Sequence, residues 1–139
     1  VLAYLICYQR YLEFTKGICS GDDPDLWVRE GDGRVSLWVE VGLPAIDKVR
    51  RACHHSDSVV VVPFGKTFKH WYADTQPLNG LDNLRMFQLS DSAYQELADQ
   101  LERSNSWVVT ISDQVMYLHN QANDSNLTIE ITRLEPVPE

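Results

Sequence analysis

An α/β fold with a mixed central sheet and flanking helices is predicted for this chain by three features of its sequence. The run Val59-Val60-Val61-Val62 is β-branched throughout, sits in a stretch, 58–64, bounded by loop residues, and follows a helical pattern. That is the signature of a central parallel strand covered on both faces. Ahead of it, residues 25–29 and 35–41 alternate in the strand manner around Gly31-Asp32-Gly33-Arg34 and read as an antiparallel hairpin. Helix-period apolar stretches are interleaved with these strands.

Taken in order, residues 1–16 place Leu2, Leu5, Ile6 and Leu12 at helical spacing, and Lys16-Gly17 provides a basic last turn and a C′ glycine. Pro44 suits the first position of a helix over 45–54, whose apolar stripe is Ile46, Val49 and Cys53. Residues 66–73 form a third helix and 84–89 a strand. A fourth helix spans 91–103, with Ser90 or Asp91 as its cap. Strands follow at 107–112, 114–119 and 127–132, with 120–126 as a loop and an irregular tail from Glu135. Neither an internal repeat nor a linker divides the chain, so a single domain over 1–139 is expected.

The chain has 139 residues, 44% of them hydrophobic and 23% charged, which excludes disordered and low-complexity classes and leaves room for a substantial core. Its longest apolar run is far shorter than the ~20 residues that cross a bilayer, and no charged-then-apolar leader opens it. A soluble cytoplasmic protein with no membrane partner is expected. Cys7, Cys19 and Cys53 are odd in number and lack CxxC spacing, so they read as reduced thiols rather than a disulfide framework or zinc site. The four histidines find no partners at ligand spacing either. A net charge of −8 repels polyphosphates at long range, so any nucleic-acid contact must be weak and local.

The hairpin carries the sharpest chemical inference. If Asp32-Gly33 forms a two-residue type I′ turn, partner numbers across the strands sum to 65. Asp25 then faces Glu40, Trp27 faces Trp38 on the same side, and Leu26 and Val28 face Val39 and Leu37 on the other. Two carboxylates opposed at sheet distance repel each other and call for compensation. A divalent cation answers that need, since Mg²⁺ is commonly held by one or two carboxylates with water and substrate phosphates. A solvated sheet end, Arg29 or a helix base answers it equally well.

At these residues the chain resembles a known family. The strings Phe14-Thr15-Lys16-Gly17-Ile18-Cys19, Asp22-Asp23-Pro24-Asp25-Leu26-Trp27 and Leu37-Trp38-Val39-Glu40-Val41-Gly42-Leu43-Pro44 resemble the YaeQ family, a resemblance that Arg51-Ala52-Cys53 and the Trp71 helix extend over essentially the whole chain. It implies a bacterial protein with a variant PD-(D/E)XK nuclease-like architecture, in which acids from neighbouring strands and a lysine surround a catalytic Mg²⁺. Pro24-Asp25 matches the PD element, and Glu40-Val41-Gly42 occupies the (D/E)XK element with glycine in the lysine's place. Because the chain opens at Val1, the family's additional N-terminal strands are expected to be missing.

The resemblance makes Asp25 and Glu40 the metal ligands. Catalytic candidates are Lys48 and Arg51, as bases that replace the motif lysine, and Glu13, an additional acid near the apolar stripe of the first helix. Each has a plainer reading. Lys48 and Arg50 suit a solvated helix face, Asp47 and Arg51 form an ordinary i,i+4 pair, and Glu13 suits the stripe's rim. Lys66 to Trp71 mixes bases with aromatics, a composition suited to phosphate contact and base stacking, although Phe68, Trp71 and Tyr72 at helical spacing equally suit packing on a sheet. Two functions follow: an Mg²⁺-dependent phosphodiesterase acting on nucleic acid, or a non-catalytic binding or regulatory protein on a degenerate nuclease scaffold.

Overall fold

A computed structural model describes residues 7, 12–14, 23–89, 95, 107–121 and 124–138. Contacts group the chain into two units, Val1–Phe87 with Arg133–Glu139, and Gln88–Thr132. The fold class is mixed α/β, as expected.

The first unit holds strands β1 (Glu13–Phe14), β2 (Leu26–Arg29), β3 (Val35–Gly42), β4 (Ser56–Pro63) and most of β5 (Leu84–Leu89), side by side in chain order. The pairs β1 with β2 and β2 with β3 are antiparallel, whereas β3, β4 and β5 run parallel. Helix α1 (Ile46–His55) makes the crossover from β3 to β4. Helix α2 (Phe68–Ala73) and a 3₁₀ turn (Gln76–Leu78) lead from β4 to β5.

The valine run forms the middle of the sheet. Val59, Val60, Val61 and Val62 are all essentially inaccessible, which is possible only for a strand with neighbours on both sides and cover on both faces. Val59 and Val61 face a cluster formed by Val49, Ala52 and Cys53 of α1 with Trp71, Leu78, Leu84 and Met86. Trp71 donates its indole N–H to the Pro44 carbonyl at 2.7 Å and so ties α2 to the start of α1. Phe68 and Tyr72 pack against the same cluster, with their rings stacked 5.7 Å apart. These aromatics therefore serve packing, while Lys66 and Lys69 remain exposed. The tail from Glu135 is irregular but docked: Val137 donates to Thr75 Oγ1 at 3.0 Å, and Tyr72 donates to the Glu135 carbonyl at 2.8 Å.

The hairpin keeps the expected register by an unexpected route. Leu26 pairs with Val39, Trp27 with Trp38 and Val28 with Leu37. The turn, however, is not a two-residue one. Glu30 N–H donates to the Arg34 carbonyl at 2.7 Å and Gly33 N–H to the Glu30 carbonyl at 2.9 Å, which closes a three-residue loop with Gly33 at φ 88°. Three-residue hairpin loops commonly combine a type I turn with a left-handed bulge residue, the position Gly33 occupies here. The loop sets partner numbers one lower, as in the pairing of Arg29 with Val35, and a second irregularity between Val28 and Arg29 restores them. Ser36 is the extra residue there, and its hydroxyl donates to the Val28 carbonyl at 3.3 Å.

The helix expected over residues 1–16 lies mostly outside the described residues, but its end is corrected, because Glu13 and Phe14 form a strand. Pairing of Glu13 with Trp27 at the sheet edge outweighs the local helical period. The helix expected over 91–103 also lies outside the described residues apart from a helical Gln95.

The second unit holds β6 (Trp107–Ser112), β7 (Val115–Asn120) and most of β8 (Ser125–Leu134), which form an antiparallel meander. The loop expected over 120–126 is shorter, since Asn120 and Ser125 already pair across the strands. Met116, Leu118, Leu127, Ile129 and Ile131 supply its buried face.

Candidate functional site

The site forms where β3 passes beneath the first turn of α1. Strand alternation puts Trp38 and Glu40 on the face that α1 covers, in register with Val59 and Val61 of β4. Glu40 is 4% exposed, an unusual position for a carboxylate without partners. It has two. The Lys48 ammonium lies 3.0 Å from Glu40 Oε1, and the Trp38 indole N–H donates to the same oxygen at 3.0 Å. Burial pushes the Glu40 carboxyl above its usual range, the Lys48 and Trp38 bonds pull it back, and the Asp25 charge raises it further.

Asp25 stands just before β2, outside the ladder. Its N–H donates to the Val39 carbonyl at 2.9 Å, and its Oδ2 accepts the Val41 N–H at 2.7 Å. The direct opposition of Asp25 and Glu40 is thus replaced by a carboxylate turned onto the backbone one residue beyond Glu40. Lys48 also donates to the Asp23 carbonyl at 2.9 Å, so one ammonium ties the loop carrying Pro24-Asp25 to the buried acid on β3. Arg29, the other candidate for neutralising the pair, lies instead over the Trp27 ring, 4.9 Å from its centroid.

Glu13 is on β1 rather than on a helix, and its Oε1 accepts the Trp27 indole N–H at 3.1 Å. Two neighbouring indoles, paired across β2 and β3, each donate to a different carboxylate, Trp27 to Glu13 and Trp38 to Glu40. This role of the tryptophans was missed in the sequence, although Trp38 and Glu40, two apart on one strand, necessarily share a face. The expected pair of Asp47 with Arg51 is also corrected. Asp47 binds Arg50 at 2.8 Å, and among the described residues Arg51 reaches only the Asp47 carbonyl, through Nε at 3.4 Å. Arg51 instead borders a cleft of about 220 Å³ with Trp38, Lys48, Ala52 and His55.

Among the described residues, no group of three or more His, Cys, Asp or Glu side chains is placed to hold a metal ion. Asp25 and Glu40, the two carboxylates expected to hold Mg²⁺, are fewer than such a group, and an Mg²⁺ ion held by one or two carboxylates takes the rest of its shell from water and phosphate oxygens. Lys48 and Trp38 both bind Glu40 Oε1, which leaves Oε2 for such an ion.

The family model described as YaeQ protein matches residues 1–130. The chain belongs to the YaeQ family. It is similar to the Uncharacterized protein YaeQ of Escherichia coli (strain K12), with 27% identity over 134 residues that span 95% of this chain and 73% of that protein. The Uncharacterized protein YaeQ of Salmonella typhi is 26% identical over the same shares. The crystal structure of the YaeQ protein from Xanthomonas axonopodis pv. citri superimposes with a TM-score of 0.87 at 28% identity, covering 98% of this chain and 77% of that one. The YaeQ protein of Pseudomonas syringae has the same fold, with a TM-score of 0.85 at 24% identity over 96% of this chain and 74% of its own. Among the described residues of this YaeQ-family chain, no helix is long and apolar enough to cross a membrane.

Proposed function

We propose that this YaeQ-family chain is a metal-dependent phosphodiesterase acting on nucleic acid, with Asp25 and Glu40 as the ligands of an Mg²⁺ ion and Lys48 in the place of the motif lysine. One observation carries the reading: the Lys48 ammonium lies 3.0 Å from Oε1 of the buried Glu40, a carboxyl that also feels the Asp25 charge. Gly42 adopts φ 107°, a conformation L side chains rarely take, so the end of β3 is poorly suited to a lysine at that position. Helix α1 supplies the cation from the next element instead. Bound Mg²⁺ would activate water and neutralise charge developing on the phosphoryl group. Lys48 spends two of its three donors on Glu40 and Asp23, and the third is available to a phosphate oxygen. Trp38 holds the orientation of Glu40, and Glu13 holds that of Trp27.

One observation favours the alternative, a non-catalytic binding or regulatory protein on a nuclease-like scaffold: the Glu40 and Lys48 pair is already neutral without a further ion. Cleavage of end-labelled single-stranded and duplex oligonucleotides with Mg²⁺ or Mn²⁺ separates the two. Hydrolysis that falls about a hundredfold or more in Glu40→Gln and in Lys48→Ala is the expected result, on the scale of losing one electrostatic contact to a transition state. Cleavage that is absent, or indifferent to both substitutions, leaves the binding reading in its place.

A further inference from the structure

The cleft beside Lys48 has a chemistry unlike the rest of the chain. The protein carries a net charge of −8, yet none of the described residues lining the cleft is acidic, and Lys48, Arg51 and His55 are basic. Trp38 and Ala52 supply its apolar wall. The Trp38 N–H is committed to Glu40, so the indole is held by its polar edge at the acid while its carbon surface borders the cleft. Because Arg50 takes the Asp47 carboxylate, the terminal nitrogens of Arg51 have no partner among the described residues. At about 220 Å³ the cleft holds far more than one water but falls short of the roughly 300 Å³ at which drug-sized sites begin. One planar ring system with an anionic group at its rim fits that room.

We infer that the cleft receives one unstacked base of a single-stranded nucleic acid, stacked on Trp38, with the adjoining phosphate on Arg51. The inference rests on the proposed phosphodiester chemistry at Glu40 for the kind of polymer, and it adds which form of that polymer is used. A base inside a duplex is stacked and paired and must be extruded before it can enter such a cleft. An unpaired base meets no such cost, and stacking on an aromatic ring tolerates any base because each has a π-face.

The test measures binding in EDTA, where no turnover occurs, by anisotropy of short labelled oligonucleotides at several salt concentrations. Single-stranded DNA and single-stranded RNA are compared separately with duplex DNA, and the tighter single strand names the natural source. We expect at least about tenfold tighter binding of a single strand than of duplex. Arg51→Ala should weaken single-strand binding and flatten its salt slope by about 0.7, the share of one phosphate contact. Arg50→Ala, on the same helix but outside the cleft, should do neither. Oligonucleotide should also quench tryptophan emission, a signal lost in Trp38→Phe while anisotropy still reports binding. Equal affinity for duplex and single strand, an unchanged salt slope in Arg51→Ala, or quenching that survives Trp38→Phe each overturns the inference. Single-strand binding without metal-dependent cleavage keeps the cleft and removes the enzymatic reading. Metal-dependent cleavage with equal binding of duplex removes the cleft alone.

Discussion

Lys48 on α1 and Glu40 on β3 form an ion pair at 3.0 Å in which the carboxylate is almost wholly buried and the ammonium about one-fifth exposed. Removing only the cation leaves a buried charge without its compensation, and such truncations are among the costlier single changes. Lys48→Met should therefore destabilise the protein by roughly 2–3 kcal/mol, less than for a fully buried pair because Lys48 keeps some contact with water. Urea unfolding checks this. A loss within experimental error of zero would show that Glu40 does not depend on Lys48.

The same pair sets a pH dependence whose sign is fixed. Burial raises the Glu40 carboxyl above its ordinary value of 4.5 in the folded protein, with Lys48, Trp38 and Asp25 acting after it. Between that value and the folded one, the native state binds more protons than the unfolded chain, so the contribution of Glu40 to stability declines as pH rises. Glu40→Gln removes this titration. The stability of Glu40→Gln relative to the parent should therefore climb as pH increases from 4.5 and then level off, a difference that thermal unfolding at matched ionic strength can follow. A flat difference would mean that Glu40 titrates normally.

Much of this arrangement was legible in the sequence, and what was not has identifiable causes. The valine run announced its two-sided burial because no other strand environment suits four consecutive β-branched residues. The pairing of Trp27 with Trp38 is readable because alternation on both strands demands it whatever the turn type. The three-residue loop and the extra Ser36 shift the register in opposite directions, so their effects cancel before the tryptophans and leave no trace in the pattern. Lys48 was one of several bases on α1, and spacing along a helix does not say which one reaches a neighbouring strand. Glu13 was misplaced because its local sequence has a helical period while its partner, Trp27, lies fourteen residues away.

Gly33 has φ 88° with nothing within 4 Å of an added Cβ, so an alanine there meets no clash and suffers only the backbone penalty. Gly33→Ala should cost about 1 kcal/mol or slightly more. Gly31 has equally open surroundings and no positive φ, so Gly31→Ala should be neutral or mildly stabilising through the unfolded chain. Asparagine at position 33 should recover part of the loss, since it tolerates the left-handed region. Equal effects of the two alanine substitutions would contradict the three-residue loop.

Metal binding gives the most direct test of the acid pair, because Lys48 makes its outcome specific. A cation held by Asp25 and Glu40 in the folded state and by nothing in the unfolded chain stabilises by mass action, by about 2.7 kcal/mol at a hundred times its Kd. Tm should then rise by several degrees with Mn²⁺ or Mg²⁺ at fixed ionic strength. Glu40→Gln and Asp25→Asn should lose the response. Lys48→Met should strengthen it, because an ammonium 3.0 Å from Glu40 Oε1 repels any divalent ion bound by the same carboxylate and competes for its charge. That opposite sign distinguishes the site from loose attraction of cations to a chain of net charge −8, in which each added or removed charge matters about equally wherever it sits. Lys48→Met and Arg50→Ala each remove one positive charge from α1, so general attraction predicts the same gain for both. A site at Glu40 predicts a gain for Lys48→Met alone. Matching responses in these two variants, or an undiminished response in Glu40→Gln, would place the ions elsewhere and leave Asp25 and Glu40 with a structural role.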